Sequence, residues 1–203
     1  MIHPPERSPE RDAAIEAMLA HVPFDGWTHK ALLLGLRDAA MPEDEAYLLF
    51  PGGAADMIET FCDLADRRIE TSAAALAETR LSARVKAVIM QRLEQNRPHR
   101  EAIRRALAVL AMPPNACTGL ACTARTVDAI WFAAGDRSAD FSWYTKRVIL
   151  TAVYSATLLF WLRDGSEDDA DTSAFLDRRL AAVGRIGGLR RRAEALLGRF
   201  KLA

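Results

Sequence analysis

VPFDGWTHKALLLGLRDAAMPEDEAYLLFPGG, residues 22–53, is the stretch whose reading decides the fold. Ahead of it, Ile15, Met18, Leu19 and Val22 recur at helical spacing and mark a first helix from Pro9 to about His21, which Pro23 ends. Phe24-Asp-Gly-Trp-Thr28 then reads as a turn, with Thr28 as the N-cap of a second helix from His29 to about Ala40. That helix turns Leu32, Leu33 and Leu36 inward. Pro42 breaks the chain, a short third helix covers Glu43 to Phe50, and Pro51-Gly52-Gly53 stops it. A long fourth helix from Ala54 to about Ala77 follows, with Met57, Ile58, Phe61, Leu64, Ala65 and Ile69 on one face. Helix, short helix, tight turn, short helix and long helix is the order of a helix-turn-helix head on a helical body.

That order is similar to the head of TetR-type regulators, but its charge opposes DNA binding. From Asp25 to Glu70 there are ten acids (Asp25, Asp38, Glu43, Asp44, Glu45, Asp56, Glu59, Asp63, Asp66, Glu70) and four bases (Lys30, Arg37, Arg67, Arg68). Glu43-Asp44-Glu45 falls near the tip of the reading helix, where phosphates would be repelled and no counterion release could drive binding.

The remaining periodicities continue as helices over about Leu81–Asn96, Pro98–Ala111, Cys117–Ala134, Phe141–Arg163, Thr172–Val183 and Leu189–Phe200. There is no strand alternation, so the fold class is all-α. The domain reading is a TetR-like head at 1–53, a helical body at 54–184 and a basic amphipathic helix at 185–203. With 203 residues, 50% of them hydrophobic, a sizeable core is available. Net charge is zero, which argues against a dedicated nucleic-acid binder. The apolar run Val148–Leu162 is too short for the roughly 20 residues of a membrane span and reads as a buried helix. Met1 to Arg11 holds no apolar run, so no secretory signal is expected.

Catalytic chemistry is not legible. His3, His21, His29 and His99 stand in neither HExxH nor ExxH spacing, so no metal site is expected. Cys62, Cys117 and Cys122 lack CxxC spacing; a reduced compartment fits, and Cys117 and Cys122 read as small core residues. No GxGxxG, GxxxxGK[ST] or GxSxG is present. No catalytic residue and no cofactor is expected, and the chain reads as a binding protein.

Two features point to what it binds. Trp143 and Tyr144 are neighbours, about 100° apart on a helix, so both cannot share one face and one of them is expected to look outward. Exposed Trp and Tyr are common at binding surfaces. Around them Trp131, Phe132, Phe141, Tyr154, Phe160 and Trp161 make an aromatic excess, read either as filled core or as the walls of a tunnel for an apolar ligand. The second feature is the C-terminus. Leu189, Ala193, Leu196, Leu197 and Phe200 form one apolar stripe, and six bases face one acid from Arg185 onward. A helix with this composition suits an anionic membrane surface or packs on the body with a solvated arginine face.

These residues also carry a resemblance. Gly135-Asp-Arg-Ser-Ala-Asp-Phe-Ser-Trp-Tyr-Thr-Lys-Arg147, preceded by Val127-Asp-Ala-Ile-Trp131, resembles the COQ9 family of ubiquinone-biosynthesis proteins. Val22–Thr28, Met112-Pro-Pro-Asn115 and the acidic loop before Phe175-Leu-Asp-Arg-Arg179 add to it, and the likeness runs from about Ile15 to Gly184. The resemblance implies a TetR-like, non-catalytic, commonly dimeric protein. Such a protein binds isoprenoid quinone intermediates or phospholipid and presents its lipid to the di-iron hydroxylase of ubiquinone synthesis. It places Trp143, Tyr144, Ile130, Asp128 and Arg147 in a partner-binding patch. It makes Leu189, Arg190, Arg191, Arg192, Leu196, Leu197 and Phe200 the membrane-binding face. Ile130 stands where the eukaryotic members carry methionine, and the Phe50-Pro-Gly-Gly53 turn differs from theirs. With no transit peptide, a bacterial protein peripheral to the cytoplasmic membrane is expected. The alternative is a ligand-responsive TetR-type transcription regulator.

Overall fold

Ser8 opens the first helix: its hydroxyl accepts the Arg11 N–H at 3.1 Å, and Pro9 takes the first turn, where a missing N–H is harmless. This helix, α1 (Pro9–Met18), belongs to a computed structural model that describes residues 3–72, 80–136 and 142–183, those of 142 and 143 by their backbone alone. Pro23 does not end α1 but begins a separate helix, α2 (Val22–Asp25), as its second residue. Its lack of an N–H fits a first turn as well as a stop. Gly26 (φ 72°) closes α2. Thr28 caps α3 (His29–Asp38) as expected, its Oγ1 accepting the Ala31 N–H at 3.3 Å. Leu32 and Leu36 are buried, Leu33 only partly so. A Cβ on Gly35 would lie 2.5 Å from the Met18 nitrogen, so α1 and α3 meet backbone to backbone.

The expected third helix is shorter than its sequence span. Glu43–Glu45 form a 3₁₀ turn and α4 (Ala46–Leu49) a single α-turn. Phe50 leaves the helix to bury its ring under the Arg11 guanidinium, 4.5 Å away. The long helix α5 (Gly53–Ser72) buries all six residues expected of it. α6 (Leu81–Gln95), α7 (Arg100–Leu110) and α8 (Ala116–Ala133) complete this part, and α5 against α8 is its most extensive helix pairing. Trp27 ties the head to the body: its indole N–H donates to the Ala102 carbonyl at 2.9 Å and its ring meets Phe61 at 5.6 Å.

The chain divides into two compact units, Met1–Ser138 and Ala139–Ala203, a division inside the stretch 54–184 expected as one body. The second unit contains α9 (Ser142–Trp161) and a helix over 170–183, α10. Phe160 stacks on Phe175 at 4.5 Å, and the Trp161 indole donates to Asp169 at 3.1 Å. The acidic loop before α10 is a cap. The Asp164 carboxylate accepts the N–H and hydroxyl of Ser166 (2.8 and 2.6 Å) and the N–H of Thr172 (2.8 Å). Burial raises its pKa, but these hydrogen bonds outweigh burial and hold it down at about 2. Among the described residues there is no strand, and no single helix is long and apolar enough to cross a membrane.

Candidate functional site

The expected patch begins on α8. Its end is a helix stop in which Gly135 (φ 75°) donates to Phe132 O at 2.8 Å and Asp136 to Trp131 O at 3.0 Å. Packing against α5 sets the phase of the last turns. Asp128 and Phe132, four apart, share the outward face, and Phe132 is 70% exposed. Ile130, 200° from Asp128, points the other way and is 0% exposed. Ile130 is therefore a core residue in this structure and offers no surface to a partner. Asp128 is exposed as expected, and Phe132, counted only as one aromatic among many, takes the neighbouring surface.

On α9, Tyr144 is 71% exposed and Val148, one turn on, equally so. Ala152 and Leu159 continue this outward side, while Leu150, Val153, Tyr154, Thr157 and Trp161 are buried. Arg147 is half-buried. Trp143 belongs to α9 by its backbone; the expectation for its side chain lies outside the described residues. So do those for Leu189, Arg190, Arg191, Arg192, Leu196, Leu197 and Phe200.

Behind the Asp128–Phe132 face is a pocket of about 240 Å³, to which Arg7, Asp63, Asp66, Glu70 and Arg125 also contribute. Asp66 is its most perturbed group. Burial raises its pKa to about 6, against the pull of Arg92 (2.8 Å) and the Thr126 hydroxyl (3.0 Å). A second hollow, about 550 Å³, lies along α5 and α6 between Leu64, Arg67, Arg68, Thr71, Ser72 and Gln95. Cys62 and Cys122 lie against one another across α5 and α8, and Arg125 approaches the Cys122 sulfur at 3.5 Å. Cys122 is core, as expected. Cys117 is exposed, because five positions along a helix turn a side chain by about 140°. His21 lies 2.6 Å from Asp38, His29 stacks on Tyr47, and His99 is half-buried. Among the described residues no three His, Cys, Asp or Glu side chains stand together as a metal site.

Residues 116–187, which carry α8, α9 and α10, match the COQ9 family model. Beyond that segment, the chain is 34% identical over 179 residues to the mitochondrial ubiquinone biosynthesis protein coq9 of Schizosaccharomyces pombe, covering 87% of this chain and 70% of that protein. The chain belongs to the COQ9 family. The Drosophila melanogaster COQ9 protein is 35% identical over 177 residues, covering 84% of this chain, and the human one 30% over 174 residues, covering 82%. The chain spans about half the length of these two relatives, 54% and 55%. In three dimensions it is similar to a TetR transcriptional regulator from Nitrosomonas europaea, with a TM-score of 0.68 and 25% identity over 86% of this chain and 98% of that one. The fold of this COQ9-family chain is thus TetR-like and all-α.

Proposed function

We propose that this chain serves ubiquinone biosynthesis as a non-catalytic, lipid-binding protein. In this reading it takes up isoprenoid quinone intermediates at the membrane and presents them to a partner hydroxylase of the di-iron type, acting as a homodimer. One observation carries the proposal. The segment that matches the family model, 116–187, holds the exposed side chains of Phe132, Tyr144 and Val148. Large exposed aromatics are unfavourable in water and effective when a partner buries them. Tyr144, Arg147, Asp128 and Phe132 are the proposed contacts, with Trp143 added from the family motif. The basic, apolar sequence from Leu189 to Phe200 would attach the protein to an anionic membrane surface. Each methylene buried in the headgroup layer contributes about 0.8 kcal/mol there.

The test is organic extraction of protein purified without harsh detergent, followed by lipid mass spectrometry. A co-purified polyprenyl quinone or phospholipid is the expected result; an empty extract would overturn lipid carriage. The regulator alternative draws on the helix order and the likeness to a TetR regulator. Against it, α4 is a single turn behind three acids, where a groove-reading helix needs length and positive charge. A salt-dependent gel shift on DNA would revive it.

A further inference from the structure

The head exposes three large apolar side chains around a well-packed interior. Phe24 on α2 is 84% exposed, Leu48 82% and Tyr47 71%, whereas Val22, Ala31, Leu32, Leu36, Ala46 and Phe50 of the same head are buried. Loose packing does not explain the exposure: Ala46 in α4 and Phe50 just after it are buried, and of the three residues between them Tyr47 and Leu48 turn outward. Tyr47 is held in place, its ring stacked on His29 at 4.2 Å with 26° between the planes. A side chain fixed before binding loses little conformational freedom when covered.

The charge beside these residues is acidic on balance. Residues 21–50 carry five acids (Asp25, Asp38, Glu43, Asp44, Glu45) against Lys30 and Arg37. Both bases are engaged, Lys30 with Asp25 at 2.7 Å and Arg37 with Glu43 at 3.0 Å. Asp44 and Glu45 have no ion-pair partner among the described residues, and they immediately precede the Ala46–Leu49 turn. This surface would repel a nucleic acid or an anionic lipid.

We infer that the tip of the head is a second docking surface, for a protein segment that combines exposed apolar side chains with lysines or arginines. Leu48 and Tyr47 supply its apolar contacts, Phe24 on α2 is a third exposed apolar side chain of the head, and Asp44 and Glu45 select a basic partner. The one-turn α4 that is poorly built for a DNA groove is suited to this task. Its short axis presents two adjacent large side chains with acids directly ahead of them. The surface lies in the first unit and does not depend on the docking role proposed for α9.

The experiment is selection from a random peptide display library on the immobilised full chain. Counter-selection uses the Phe24→Ser/Leu48→Ser variant, whose melting curve should match the parent because both side chains stand in solvent. Peptides rich in Lys or Arg with Leu, Phe or Trp should be enriched on the parent alone. A synthesised winner should bind about tenfold or more weakly to Leu48→Ser. It should also weaken severalfold with Asp44→Asn/Glu45→Gln, and with added salt on the parent. No enrichment, enrichment of acidic or neutral peptides, or equal binding to parent and variant would overturn the inference. So would a parent that sediments as a larger species than Phe24→Ser/Leu48→Ser, which would make the occupant a second copy. Loss of phosphatidylglycerol-vesicle binding in that variant would make it a membrane, with the same effect.

Discussion

Helix α5 and the turn before α4 carry the same kind of charge and use it in opposite ways. Four of the five acids of α5 are drawn against arginines from other elements: Asp56 to Arg11 at 2.5 Å, Glu59 to Arg125 at 2.5 Å, Asp63 to Arg7 at 2.7 Å and Asp66 to Arg92 at 2.8 Å. These pairs join α5 to the N-terminal segment, α1, α6 and α8, and Asp63 and Asp66 are themselves buried. Asp44 and Glu45 stand in solvent instead. Charge counted along the chain treats the two groups alike. Only the second makes a surface, because a buried ion pair has little external field while free acids set the local potential.

The largest effect should come from breaking the deepest pair. Arg92→Met leaves Asp66 buried without its counter-charge and should lower stability by about 3–5 kcal/mol in denaturant unfolding. If Arg92→Met/Asp66→Leu recovers most of that loss, the cost lies in the orphaned charge and not in the packing. Asp66 also gives the pair a pH signature. Its folded pKa is raised to about 6 from an ordinary 3.8, so the folded state holds the proton more tightly. Its contribution to stability should therefore fall as pH rises from 3.8 to about 6. Asp66→Asn should flatten the stability curve over that window; an unchanged slope would assign the effect to another group.

Asp164 should give a smaller effect of opposite sign. Its pKa is depressed to about 2, so its stabilisation of α10 is complete above 3.8 and lost as pH falls toward 2. Asp164→Ala at neutral pH should cost about 1 kcal/mol, as loss of a helix cap does, read from thermal melting. Smallest of all, Asp44→Asn/Glu45→Gln should move stability by no more than about 0.5 kcal/mol. A large loss there would place those acids among the structural pairs and erase the contrast with α5.

The fold was largely legible where its cause is local. The i, i+3 and i, i+4 pattern of Met57 to Ile69 placed the buried face of α5, and Thr28 marked the start of α3. Pro23 was ambiguous, because a residue without an N–H fits a helix start as well as an end. α4 came out at one turn because Glu43–Glu45 wind as a 3₁₀ turn and Phe50, held out of the helix by the following Pro51, carries its ring under Arg11, 39 positions away in sequence. The arginines of other elements that pair with α5 also lie far from their acids in sequence, where a local charge count does not connect them. For the proposed patch, only which side chains face solvent can be compared. Asp128 and Tyr144 are exposed as expected, but α8 is apolar nearly all round near Ile130, so no stripe fixed its phase. Packing of α8 against α5 supplies that phase, with Phe132 outward and Ile130 in.

Tyr144 and the acids of the head tip are all exposed, yet only Tyr144 is proposed to meet the hydroxylase. The decisive measurement is the affinity of the full chain for a di-iron hydroxylase of ubiquinone synthesis, by calorimetry, for the parent, Tyr144→Ala and Asp44→Asn/Glu45→Gln, each with its melting temperature. Tyr144→Ala should bind about tenfold or more weakly at an unchanged melting temperature, and the head variant should bind like the parent. Undiminished binding by Tyr144→Ala, or a loss that tracks a collapsed melting temperature, would contradict the proposed docking role of α9.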